Sequence, residues 1–134
     1  MFIILSLSGL AQGYDYIPDA SYEVLEKRLK SIEGEVPLHF NKNVKVFIDY
    51  FTVRDREYTV EILNRKDYFF NIFEPYLAKY EMPDEIKYLA IVESGLRPSA
   101  VSVASAVGLW QFISSTGKTY GLEGNWYVDD RMDP

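Results

Sequence analysis

The chain has 134 residues, of which 48% are hydrophobic, 25% charged and 16% aromatic, and its formal net charge is −6. This length suits a single domain, and the composition excludes disorder as a description of the whole chain. Nucleic-acid binding usually needs a basic surface, so the negative charge argues against that class. The sequence contains no cysteine, and we therefore expect no disulfide, thiolate metal site or lipid-modified cysteine.

The apolar run FIILSLSGLA near the N-terminus has the length of a secretory h-region. Gly9 and Ala11 fit a cleavage site before Gln12, so residues 1–11 are interpreted as a signal peptide. No Lys or Arg precedes the run, which leaves a buried first strand or helix as the alternative. The run is too short to be a permanent membrane span.

Helical periodicity dominates the following residues. Leu25, Leu29 and Ile32 recur at helical spacing, with Ser21 as a candidate N-cap and Gly34 as a stop signal. A second amphipathic helix is predicted by apolar residues at i, i+3, i+4 and i+7, namely Val44, Phe47, Ile48 and Phe51.

An aromatic-rich stretch extends from about Tyr58 to Tyr80. Its apolar residues are Ile62, Leu63, Phe69, Phe70, Phe73, Leu77 and Tyr80. We interpret them as core packing, and Pro75 indicates a first turn or a kink. His39 is the only histidine, which excludes a triad with a histidine base and a histidine-rich metal site. No metal and no cofactor are expected.

The segment MPDEIKYLAIVESG predicts a short helix that begins near Pro83 and ends at Gly95. Counting back from Glu93 at helical spacing reaches Ala90, Leu89 and Ile86, so Glu93 is expected on the apolar face. A partly desolvated carboxyl group keeps its proton more readily, as a general acid must. The alternative is that Glu93 sits at a frayed helix end and reaches water.

A loop rich in small residues follows this helix. Its composition predicts a compact segment packed by its own side chains, and Gly108 permits close backbone approach at its end. Trp110, Phe112 and Ile113 then predict another short helix, in which Gln111 is the one long polar side chain.

These residues resemble the catalytic motifs of a known family. The matching positions are Glu93-Ser94, Ser102, GLWQFI at 108–113, STG at 115–117, YGL at 120–122 and the terminal NWYVDDRMDP. They are similar to murein transglycosylases with a soluble-lytic-transglycosylase (SLT) domain, and especially to the subgroup of membrane-bound lytic murein transglycosylase D. The resemblance covers roughly residues 21–134.

The resemblance implies an all-α, lysozyme-like fold, with an N-terminal helical region at 12–57 and a partial SLT catalytic domain at 58–134. It implies cleavage of the β-1,4 bond between N-acetylmuramic acid and N-acetylglucosamine in peptidoglycan glycan strands, with a 1,6-anhydro product. Glu93 would act first as general acid and then as base. The implied location is the periplasm or cell envelope of a bacterium, without a stable membrane span.

The family pattern also suggests roles for four other residues. Ser102 and Gln111 match residues that contact substrate, and Ile113 matches an apolar residue of the cleft. Ser94 belongs to the same motif, although a helix-terminal serine that bonds its own backbone is an equal alternative. Trp110 is expected in the core rather than as a sugar platform.

The sequence departs from the family pattern in two respects. Val103 and Ser105 stand where the family commonly has proline and glycine. The family's domain continues beyond the position of Pro134, so we expect a truncated domain and weak or no activity of this chain alone. Two alternatives follow, namely a catalytically impaired peptidoglycan-binding module and a helical interaction protein that uses the aromatic stripe.

Overall fold

The computed structural model describes residues 20–134, so the signal-peptide interpretation of residues 1–11 lies outside the described residues. The described chain contains the helices α1 (Tyr22–Ser31), α2 (Lys42–Asp49), α3 (Arg56–Lys79), α4 (Leu89–Ser94) and α5 (Ser114–Thr119). A π-helical turn (Tyr50–Arg54) joins α2 to α3, and 3₁₀ turns occupy Asp84–Tyr88 and Asp130–Met132. Between residues 20 and 134, paired extended backbone is limited to isolated bridges. The predicted all-α class is confirmed.

The two predicted N-terminal helices are present. Ser21 caps α1 by accepting a hydrogen bond from the Val24 amide at 3.4 Å, and the Asn41 side chain caps α2. Phe47 was expected on the apolar face of the second helix, and this prediction is wrong, because the residue is 63% exposed. The π-helical turn that follows α2 has more residues per turn than an α-helix, and it brings Phe51 against the core.

The long helix α3 supplies most of the core. Its buried residues are Ile62, Phe69, Phe70, Phe73 and Leu77, which confirms core packing for most of the aromatic stripe. Leu63 and Tyr80 are instead exposed, because they lie outside the face that packs inward. Pro75 lies inside α3, so the interpretation of Pro75 as a first turn is wrong.

Lys87 joins the 3₁₀ turn before α4 to α3. Its ammonium group lies 2.6 Å from both Glu74 Oε1 and Asp84 Oδ2 and 5.1 Å from the centre of the Phe70 ring, although the residue itself is buried. Burial lowers the pKa of this ammonium group, but the hydrogen bonds to Asp84 and Glu74 outweigh burial and raise it. The buried charge is therefore paired, and its bond to Glu74 joins the turn that precedes α4 to α3.

None of the helices between residues 20 and 134 combines the length and the hydropathy that crossing a bilayer requires.

Leu109→Ala is expected to destabilise the protein by roughly 2–5 kcal/mol, because Leu109 is fully buried and its loss leaves a cavity in the core. The matched control is Leu63→Ala, which removes the same atoms from a half-exposed position and should cost less than about 1 kcal/mol. The measurement is urea unfolding followed by circular dichroism. Equal losses for the two variants would contradict the packing of Leu109 in the core.

Candidate active site

An open groove of about 520 Å³ lies at the C-terminal end of α4. Four of the five predicted site residues line it: Glu93, Ser94, Ser102 and Gln111. The other lining residues are Tyr58, Arg97, Ser99, Ala100 and Val101. Glu93 is the one carboxylate in this described lining, whereas glycosidases ordinarily place a pair of carboxylates at the scissile bond.

Glu93 is exposed in the structure, so the expectation that it is partly desolvated is wrong. The inward face of α4 is centred on Ala90, Ile91 and Ser94, while Leu89 is 48% exposed. Glu93 therefore lies at the edge of the packed face and turns toward the groove opening. Its carboxylate is accessible to a ligand that enters from solvent.

The end of α4 is closed by backbone hydrogen bonds and is not frayed, although Glu93 reaches water as the alternative expected. Gly95 adopts a left-handed conformation with φ 63°, its amide bonds Ile91 O at 2.9 Å, and the Leu96 amide bonds Ala90 O at 3.3 Å. A left-handed residue whose amide bonds the carbonyl four residues earlier is an αL C-cap. A Cβ on Gly95 would lie 2.2 Å from the Tyr58 hydroxyl oxygen, so glycine is required both for the turn and for the contact with α3.

The hydroxyl of Ser94 is engaged with the protein backbone. It lies 3.0 Å from both Ala90 O and Leu109 O, to either of which its proton can be donated, and it accepts a bond from the Arg97 amide at 3.3 Å. This geometry agrees with the backbone-bonding alternative for Ser94. It also ties α4 to the loop on the far side of the groove.

Ser102 presents a hydroxyl group differently. Its oxygen accepts a hydrogen bond from the Ala106 amide at 3.0 Å, which leaves the hydroxyl proton able to be donated to a ligand. The Ser102 amide also donates to Ala106 O at 2.9 Å. These bonds confirm the predicted compactness of the small-residue loop.

Gln111 belongs to a turn, so the helix predicted around it is wrong. Helix α5 begins only at Ser114, because Gln111 takes a positive φ of 51°, which an α-helix does not accept. Its amide nitrogen donates to Gly108 O at 2.8 Å and Ala100 O at 3.2 Å. Both N–H donors are thus used within the loop, and the amide oxygen remains as an acceptor.

Ile113 and Trp110 lie outside the groove lining. Ile113 is the residue before α5 and is 45% exposed. Trp110 packs against the core, with its ring centre 4.8 Å from that of Phe73. Trp110 is therefore partly buried against the core, which favours the expected packing role over that of a sugar platform.

Sequence reasoning missed a cluster of charged residues beside the groove. Glu61 Oε2 lies 3.0 Å from Arg65 Nη2 and 3.4 Å from Arg97 Nη2, and Arg65 also donates to Gly95 O at 3.1 Å. The Arg97 guanidinium lies 5.5 Å from the centre of the Tyr58 ring. The i,i+4 spacing of Glu61 and Arg65 was visible as a helical ion pair, but no local pattern links that pair to Arg97.

Arg131 holds the loop in place from the C-terminal side. Its guanidinium donates to Phe112 O at 3.1 Å and to Ser105 O at 3.4 Å, and it pairs with Asp129 at 2.6 Å. The backbone at Gly108 approaches the same segment so closely that a Cβ would lie 1.6 Å from Arg131 O. The predicted close approach at Gly108 is confirmed.

The second half of the chain is similar to known proteins. Residues 70–134 match the family model described as Transglycosylase SLT domain. The chain is 40% identical over 90 residues to membrane-bound lytic murein transglycosylase D of Escherichia coli strain K12 and to the protein of the same name from E. coli O6:H1 strain CFT073. The matched region is 60% of this chain and 20% of each relative, so the chain spans about a fifth of the relatives' length.

Gly108→Ala is expected to destabilise the protein by roughly 2–4 kcal/mol, because the methyl group adds a backbone clash to the strain of a positive φ. Gly121→Ala is the matched control, since Gly121 has φ 80° and a methyl group added there would meet nothing within 4 Å; it should cost only about 1 kcal/mol. Chemical denaturation of both variants measures the difference. Equal losses would show that the contact with Arg131 does not constrain the loop.

Asp129→Asn is expected to lower the thermal midpoint at pH 7, because hydrogen bonds from Arg131 hold the pKa of Asp129 below its usual value of 3.8. The stabilisation from a lowered carboxyl pKa is complete above the unfolded-state value and is lost as the pH falls through the folded-state value. The difference between variant and wild type should therefore shrink below about pH 4.

Thermal unfolding between pH 3 and pH 8 tests this, with the exposed pair of Asp67 and Lys66 as reference. Asp67→Asn should change the midpoint little at any pH. A deficit of Asp129→Asn that stays constant down to pH 3 would contradict the ion-pair explanation.

Proposed function

We propose that the chain is a lytic murein transglycosylase that cleaves peptidoglycan in the bacterial cell envelope, because residues 70–134 match the family model described as Transglycosylase SLT domain. The observation that carries this proposal is the position of Glu93, a single carboxylate in an open groove within the matched region. The names of the two relatives support the same activity.

The proposed reaction uses Glu93 twice. Its carboxyl group donates a proton to the oxygen of the β-1,4 bond, and that bond breaks, so that N-acetylglucosamine leaves with a new 4-hydroxyl group. Positive charge develops at C1 of N-acetylmuramic acid. The Glu93 carboxylate then removes the proton of the muramic acid 6-hydroxyl, whose oxygen attacks C1 and closes the 1,6-anhydro ring. The proton is returned to Glu93 and no water is consumed.

An intramolecular nucleophile explains why one carboxylate suffices. A hydrolase needs a second carboxylate to activate water or to form a covalent intermediate, whereas here the substrate's own hydroxyl group is held close to C1. Glu93 is exposed in the free protein. A bound glycan strand would displace water from the carboxyl group.

The neighbouring polar groups are suited to hold the sugar. The hydroxyl proton of Ser102 and the amide oxygen of Gln111 remain for a ligand after their bonds within the loop. They offer one donor and one acceptor, which match the hydroxyl and N-acetyl groups of an amino sugar. Ser94 acts by holding α4 and the loop together, and Ile113 retains only the cleft role that the resemblance implies.

Glu93→Gln is expected to lower the release of 1,6-anhydro-muropeptides by at least about 100-fold, because the amide can neither donate nor accept the required proton. The change preserves the size of the side chain at an exposed position, so binding to peptidoglycan and the thermal midpoint should be unchanged. Mass analysis of digested peptidoglycan and a pelleting assay measure the two quantities.

Glu57→Gln is the control, since Glu57 is an exposed carboxylate outside the groove lining and should leave product release unaltered. Products that carry a reducing muramic acid would point to hydrolysis instead. The binding-module alternative would be favoured if the wild-type chain and the Glu93→Gln variant both bind the cell wall and neither releases product.

A further inference from the structure

Arg97 places a positive charge in the same groove as the carboxyl group of Glu93. The remaining polar side chains in the lining are neutral: Tyr58, Ser94, Ser99, Ser102 and Gln111. The side chain of Arg97 is half-exposed. A ligand that enters the groove therefore meets one acidic and one basic group.

The charge of Arg97 is incompletely neutralised by its neighbours. The Glu61 carboxylate lies closer to Arg65 than to Arg97, at 3.0 Å against 3.4 Å. Two guanidinium groups thus share one carboxylate, and the three side chains together carry a net charge of +1. Arg65 is also bonded to Gly95 O, so Arg97 is the member whose charge faces the groove.

The position of Arg97 is fixed relative to Glu93. Its amide bonds the hydroxyl oxygen of Ser94 at 3.3 Å, directly beyond the capped end of α4. Its guanidinium lies over the Tyr58 ring at 5.5 Å. An aromatic face orients the guanidinium plane, and the N–H donors along the edge of that plane match the two oxygens of a carboxylate.

Resting on the function proposed above, we propose that Arg97 and Tyr58 form a carboxylate-binding subsite of the groove. The ligand is an acidic group of peptidoglycan, either the lactyl carboxylate of a peptide-free muramic acid or a free carboxylate of a stem peptide. Binding at this subsite would align the acidic side of the muramic acid residue relative to Glu93. It would also distinguish peptidoglycan from neutral polymers of N-acetylglucosamine.

The test measures binding of three ligands to the full chain carrying Glu93→Gln, which prevents cleavage. The ligands are soluble glycan strands with stem peptides, the same strands after removal of the peptides, and a neutral oligomer of N-acetylglucosamine. When Arg97→Met is introduced into the Glu93→Gln chain, binding of either acidic ligand, the strands with or without stem peptides, should weaken about tenfold. The reason is the loss of a charge-assisted hydrogen bond. Binding of the neutral oligomer should stay within twofold.

Arg28→Met is the matched control, because it removes the same charge from an exposed position on α1 and should alter none of the three affinities. Arg97→Lys keeps the charge but loses the planar fork, and it should recover only part of the affinity for acidic ligands. Thermal midpoints verify that each variant is folded. A tenfold loss confined to peptide-free strands identifies the lactyl carboxylate, and a loss confined to strands with peptides identifies the stem.

Three outcomes would overturn the subsite. Unchanged affinity of Arg97→Met for both acidic ligands would remove the basis for a carboxylate contact. Equal loss on all three ligands, or unfolding of both Arg97 variants, would make Arg97 a structural residue that acts through Glu61 and Tyr58. Failure of the chain to bind any of the ligands before Arg97 is changed would overturn the proposed function as well.

Discussion

The groove depends on the burial of two leucines of the loop against α3. Leu96 and Leu109 are fully buried in the core cluster, and Leu96 directly precedes Arg97, which lines the groove. Leu96 holds a positive φ of 57°, a conformation that costs about 1–3 kcal/mol. Burial of a leucine side chain contributes about 1.5–3 kcal/mol. Packing therefore offsets the strain that turns the chain sharply after Glu93.

Charged groups on α3 hold the α4 segment at both ends. Lys87 connects the turn before α4 to Glu74, and Arg65 bonds the carbonyl of Gly95 just after α4. A six-residue helix has too few internal hydrogen bonds to be stable alone. Its orientation, and with it the direction of Glu93, is thus set by contacts with the longer helix.

Local signals were enough to predict the first three helices and the end of α4 at Gly95, while the 3₁₀ turn before α4, side-chain exposure and loop conformation were not predictable in this way. Ser21 and Gly95 act as cap and terminator as the sequence indicated, since capping depends on neighbouring residues alone. The exposure of Glu93 depends on which face of α4 meets α3. Periodicity predicts a helix at Gln111 because it does not register the hydrogen bond from the Gln111 side-chain amide to the carbonyl of Ala100, eleven residues away. No local sequence pattern marked Arg97 as a site residue, because its partners Glu61 and Tyr58 lie on α3.

The contact between Gly108 and Arg131 bears on the order in which the protein acquires its site. A growing chain emerges from the ribosome N-terminus first, so α3 and α4 are available for packing before residues 129–132 have left the exit tunnel. Until Arg131 arrives, the carbonyls of Ser105 and Phe112 lack the guanidinium that binds them. The wall that carries Ser102 and Gln111 therefore lacks these bonds until Arg131 is available. The groove therefore has all of its supporting bonds only after the family-matched segment has been synthesised through Arg131.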